Sequence, residues 1–155
     1  ALTAAENQGP AVSKVREAIW HALGQANHWL GRSGSPIASR IEPVLSHADT
    51  ESDVDVRLAF YDACSRSGLD EAHERIVRGL RKETPRVREF LAAVLGRHPR
   101  SVEFAVREIV RSWPEERVVA EGIIEILEGE FLRVPHEWLA DAPEEVRERM
   151  AKLVE

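Results

Sequence analysis

VREAIWHALG at residues 15–24, VRLAFYDACS at 56–65 and VREFLAAVLG at 87–96 are one phrase written three times. Apolar residues fall at offsets 0, 3, 4, 7 and 8 from its first valine. They are Val15, Ala18, Ile19, Ala22 and Leu23, then Val56, Ala59, Phe60, Ala63 and Cys64, then Val87, Phe90, Leu91, Val94 and Leu95. That spacing is one stripe of an α-helix, because residues three and four apart share a face. Two drifted copies follow, VVAEGIIEIL from Val118 and VRERMAKLV from Val146, so successive copies start 41, 31, 31 and 28 residues apart. In the fourth copy Glu121 and Gly122 interrupt the stripe, and the pattern rotates it onto Val119, Ile123, Ile126 and Leu127. The fifth keeps Val146, Met150, Leu153 and Val154.

Between these helices runs a second signal. IVRGL at 76–80 returns as IVRSW at 109–113, with IEPVL at 41–45 a looser relative. In that register Leu69, Ala72, Ile76 and Leu80 match Val102, Ala105, Ile109 and Trp113, so each unit reads as two amphipathic helices. Turns fall at SGLD 67–70, TPR 84–86 and RHPRS 97–101, where proline limits helix continuation. No sustained alternation of period two marks a strand, and the expected fold class is all-α. Residues 1–11 read as an N-terminal segment and 12–155 as a single repeat domain. The longer first interval contains GRSGS at 31–35, a flexible loop by composition.

A pair of helices of about 31 residues, the second opening on Val-Arg, resembles the HEAT-like repeat family over roughly residues 12–155. The resemblance implies an α-solenoid of about four to five stacked antiparallel helix pairs, with the Val helices lining a concave inner face. The family's ladder of Asp preceding Arg is incomplete. Asp53 and Asp55 precede Arg57, Lys82 and Glu83 precede Arg88, and Val119 replaces the arginine of the fourth copy. A cation in a first helical turn faces the positive end of the helix dipole, which costs about 0.3–1 kcal/mol. Asp53 or Asp55 for Arg57, Glu83 for Arg88, and Glu144 or Glu145 for Arg147 are the expected offsetting carboxylates.

With 43% hydrophobic and 31% charged residues among 155, the chain is neither a disordered polyelectrolyte nor a membrane protein by composition. No apolar run approaches the roughly 18–20 residues of a membrane span. ALTAAENQGP lacks the basic start and apolar stretch of a secretory signal, and the chain begins without Met, as a trimmed protein or a piece of a longer one would. The single cysteine, Cys64, stands where other copies have leucine. It reads as a small buried apolar residue and points to the cytoplasm. A formal charge of −6 disfavours a duplex nucleic-acid binder, whose affinity comes from neutralising phosphates.

No catalytic set emerges. In GRSGS, Ser33 has Gly31 on one side but Ser35 on the other, so the nucleophile-elbow pattern fails, and no phosphate-loop Gly-Lys follows. His21 and His28 lie seven apart without a third ligand, so no metal or cofactor is called for. His98, before Pro99, reads as the end of a helix, where a cation suits the dipole.

Trp20 and Tyr61 share offset five of the phrase, and Arg66 and Arg97 share offset ten. Together with His21 and Asp62 they form the candidate binding set, aromatic anchors beside polar contacts, against the alternative that the two rings pack between neighbouring helices. The expected function is a non-catalytic scaffold that binds a protein or peptide on the inner face. Two alternatives follow from the family resemblance. One is nucleic-acid binding of the DNA-glycosylase kind, using Arg57, Arg88, Arg66, Arg97, Trp20 and Tyr61; the other is a chromophore lyase.

Overall fold

Asp53 opens the helix that carries the second copy of the phrase. Its carboxylate accepts hydrogen bonds from the Asp55 and Val56 N–H groups at 2.9 and 3.1 Å, closing two of the donors that a helix start leaves unpaired. The Val56 N–H and then the Ser13 hydroxyl hold the Asp53 carboxyl below its ordinary value. The computed structural model describes residues 10–30, 45, 46 and 49–155, with side chains from Val12 to Ala22 in the first helix. The expected loop at 31–35, most of IEPVL and the side chains of Leu23 and His28 lie outside the described residues. So does the segment before Pro10.

The chain divides into two compact units, Ala1–Ala72 and His73–Glu155. In the first, α1 (Pro10–Leu30) packs on α2 (Val54–Ser65). Helix α2 buries Val56, Ala59, Phe60, Ala63 and Cys64, the stripe expected of it. Helix α1 does not follow the phrase it carries: Val15 is 58% and Ile19 52% exposed, and Ala18 and Ala22 are also exposed. The half-buried residues are Ser13, Arg16, Glu17 and Trp20, one helical face at the same 3–4 spacing but turned away from the valine. Two contacts account for that rotation. The Trp20 ring meets Phe60 edge-on with centroids 4.8 Å apart, and Arg16 Nε lies 2.9 Å from Glu51 Oε2. A tryptophan brings more area to an interface than valine and alanine together offer, and it sets the face that packs.

The Arg57 guanidinium donates to the Glu51 and Ser52 carbonyls at 3.1 and 3.0 Å. Asp53, one of the two carboxylates expected beside it, caps the helix.

The second unit contains the rest of α3 (Asp70–Lys82), then α4 (Pro85–Leu95), α5 (Pro99–Ser112), α6 (Arg117–Gly129), a 3-10 turn (His136–Leu139) and α7 (Glu144–Met150). Pro85 and Pro99 start α4 and α5, where the missing N–H has no helical acceptor to lose. His98 is the N-cap of α5 rather than the end of α4: its Nδ1 accepts from the Arg100 N–H at 3.2 Å, a role that requires a lone pair on that nitrogen. The expected stripes are buried in α3 (Ala72, Ile76, Leu80), in α4 (Val87, Leu91, Val94, Leu95), in α5 with its cap (Val102, Ala105, Ile109, Trp113) and in α7 with its tail (Val146, Met150, Leu153), while Leu69, Phe90 and Val154 of the same stripes are half-buried.

Helix α6 packs on α5 through Ala120, Ile123, Ile124 and Leu127, so Ile123 and Leu127 are where the pattern put them and Val119 and Ile126 are not in the core. The flanking Glu121 and Glu128 both bind Arg149 of α7, at 2.8 and 2.7 Å, and this double ion pair sits beside the buried stripe. Arg147 pairs with Glu144 as expected. Among the described residues there are seven α-helices and no strand, only an isolated parallel bridge between Val134 and Val154. The protein is all-α.

A cationic groove on α3 and α5 as the candidate functional site

Amphipathic helices leave their polar faces outward, and on α3 and α5 those faces are arginine-rich. A groove of ≈ 510 Å³ lies between them within the second unit. Its cations are Arg78, Arg81 and Lys82 from the last two turns of α3 and Arg107 and Arg111 from α5. Val77 and Phe104 supply apolar lining, and Glu74 and Glu108 the carboxylates. Arg81 and Lys82 also suit the negative end of the α3 dipole.

The carboxylates hold the arginines in place. Glu108 accepts from Arg81 at 2.8 Å and from Arg111 through both oxygens, at 2.7 and 2.8 Å. Arg81 also bonds Glu116. Glu103 bonds Arg107 and, at 2.6 Å, Arg100, and both guanidinium groups lie over the Phe104 ring, 5.2 and 5.7 Å from its centre. Depth separates the two signs: the Glu108 and Glu103 side chains are 12% and 17% exposed, whereas those of Arg107 and Arg111 are 60% and 65% exposed. On α5 the cations stand outermost, although an approaching molecule also meets the exposed Glu74 and Glu116, the latter 49% exposed beside Arg81 at 26%.

Burial pushes the Glu108 carboxyl up, but the hydrogen bonds and charge of Arg111, with those of Arg81, outweigh it and hold the group below its ordinary value. A carboxyl lower in the folded than in the unfolded chain adds stability that is complete above its ordinary range, about 4.3, and is lost as pH falls through the lowered value. The expected result for Glu108→Gln is therefore lower stability at neutral pH, with the gap to the parent protein closing as the solution is acidified. Urea unfolding over a pH series checks it. A gap that stays constant would show that the charge of Glu108 plays no part.

Of the six residues singled out from sequence, five lie in the first unit and Arg97 in the second. Tyr61 is buried, 8% exposed, with its ring 5.1 Å from that of Phe60. Trp20 is half-buried on the same Phe60, so these two rings belong to one aromatic cluster with an inward face. His21 is exposed, 3.7 Å from Glu17. Asp62 accepts from Arg66 at 3.1 Å across one helical turn, and Arg97 lies 6.0 Å from the Phe90 ring. What sequence reasoning missed was Arg78 and Arg111: they are the arginines of the two IVR repeats, a signal read for its isoleucines alone.

Two other clusters stand in the second unit. His73 and Ser101, both fully buried, share a 2.7 Å Nδ1–Oγ hydrogen bond, and the His73 ring stacks on His98 at 4.5 Å. Burial of this serine–histidine pair leaves no room for a substrate, and its role is to tie α3 to the start of α5. Near α7, the Trp113 indole donates to Glu145 at 3.0 Å beneath Arg117, whose guanidinium is 4.6 Å from the ring. Among the described residues no group of three His, Cys, Asp or Glu side chains is placed to hold a metal, and no helix is long and apolar enough to cross a membrane. Compared with protein-family models, curated proteins and solved structures, the chain matches none.

Proposed function

We propose that the chain is a HEAT-like α-solenoid of stacked helix pairs that serves as a non-catalytic scaffold for a protein or peptide partner. The observation that carries this reading is that Arg78 and Arg111, equivalent residues of two successive sequence repeats, line one groove. Repetition of a surface residue along stacked units is how a repeat protein builds an extended binding face. The face used is that of the first helices, α3 and α5, rather than the Val helices that the family resemblance favours. The aromatic pair Trp20 and Tyr61 belongs to the packing.

A second reading, nucleic-acid binding, draws on the same cations and on the Phe104 ring beneath two arginines. The net charge of −6 weighs against it, since a polyanion reaching past the groove meets an acidic surface. The deciding experiment measures binding of duplex and single-stranded DNA over a salt series, beside reconstitution with a purified partner first identified by affinity capture. Expected are a stoichiometric protein complex and weak DNA binding. Tight DNA binding with a steep salt slope, and no reconstituted protein complex, would overturn the scaffold reading.

A further inference from the structure

From the groove on α3 and α5 we infer that the partner segment is acidic, an extended or helical peptide with several Asp or Glu residues around one apolar anchor. The inference rests on the reading of the chain as a protein-binding scaffold and names the chemistry that scaffold selects. Among the described residues the apolar lining of the groove is the half-buried Phe104 with the buried Val77 behind it, room for one anchoring side chain and too little for a hydrophobic helix face. The cations stand around it at two helical spacings: Arg78 and Lys82 are one turn apart on α3, and Arg107 and Arg111 one turn apart on α5. An acidic residue on either side of the anchor meets one of these rows.

Pre-organisation strengthens the argument. The guanidinium groups of Arg111 and Arg81 are already fixed by Glu108, and that of Arg107 by Glu103, so a ligand carboxylate meets oriented donors instead of ordering free side chains. The recessed depth of those two glutamates leaves the outer N–H groups for the partner. Glu74, also in the lining, repels an anion at its end of α3 and limits the length over which negative charge is welcome. A short peptide fits that limit. A duplex, with a charge every ~1.7 Å of its axis, does not.

The 155-residue chain, immobilised, is used to select from a displayed library of random peptides, and separately titrated with a fluorescent single-stranded oligonucleotide. The expected consensus has two or more Asp or Glu flanking a Leu, Phe or Trp. A synthetic peptide of that consensus should bind more weakly as salt rises, and its affinity should fall by at least about tenfold in the double variant Arg78→Glu, Lys82→Glu. Both side chains are exposed on a helix, so the charge reversal should lower the unfolding temperature only slightly, through the anion it puts at the negative end of the α3 dipole, and Arg78→Gln, Lys82→Gln should give a smaller loss of affinity in the same direction. Selected peptides without acidic residues, or ones that bind the charge-reversed variant equally well, would overturn the acidic-partner inference while leaving a peptide scaffold standing. If no peptide is enriched and the oligonucleotide binds in a manner lost on charge reversal, the scaffold reading falls with it.

Discussion

Phe60→Ala should destabilise the protein by about 3–5 kcal/mol, read as a shift in the midpoint of urea unfolding. The ring is 3% exposed and lies between two others, Trp20 at 4.8 Å and Tyr61 at 5.1 Å. Truncation removes its own buried area and leaves a cavity that the stiff neighbouring rings fill poorly. It also removes the edge-on contact through which α1 is held to α2, a geometry that adds about 0.5–1.5 kcal/mol beyond area alone. The same variant settles how Trp20 is used. If Trp20 packs α1 onto Phe60, its emission, taken as the difference from a Trp20→Phe background because the chain has four tryptophans, should shift to the red in folded Phe60→Ala as water reaches the ring. A loss below about 0.5 kcal/mol with unchanged emission would mean that the cluster is not the core of this unit.

How much could be read from sequence depended on whether one interaction dominated a helix. In α2, α4 and α7 the apolar stripe had no competitor, and the residues at the expected offsets are buried except Phe90 and Val154, which are half-buried. In α1 a tryptophan one step off the stripe and an arginine with a distant glutamate outweighed four small or branched apolar residues, so Val15 and Ile19 face outward. Periodicity counts apolar residues but does not weigh them by area, which is why it chose the wrong face. His98 failed for a related reason: the chain before Pro99 is both an end and a beginning, and only the Nδ1 contact with the Arg100 N–H shows which.

The groove was half legible. Arg78 and Arg111 occupy the same place in two copies of IVR, and a periodic residue on the polar face of a repeat is a visible signal. The links from Glu108 to Arg81, 27 residues away, and from Glu116 to Arg81, 35 residues away, have no local signature and arise from the packing of the helices. Charge averaged over the chain concealed the site: Glu108 and Glu103 are recessed beneath arginines, while Glu74 and Glu116 are exposed beside them. The contact between His73 and Ser101, 28 residues apart and wholly buried, was equally silent in sequence.

Ile124→Ala should cost about 2–5 kcal/mol, and Val118→Ala should change stability by no more than about 0.5 kcal/mol. The contrast tests the helix on which sequence and structure disagree most finely. Val118 stands at the offset filled by buried Val56, Val87 and Val146, yet it is 88% exposed. Ile124, which the repeat pattern passes over, is fully buried with Ala120, Ile123 and Leu127. Those four sit at i, i+3, i+4 and i+7, a stripe without a polar interruption, whereas a stripe begun at Val118 would drive Glu121, Gly122 and Glu125 into the core. Burying two carboxylates costs far more than exposing one valine, and the helix turns accordingly. That turn places Glu121 and Glu128 beside the interface, where Arg149 bridges them. Calorimetric or urea unfolding of the two single variants decides the register. Should Val118→Ala prove the more damaging, α6 is rotated relative to the structure, and the Arg149 bridge to Glu121 and Glu128 cannot form as described.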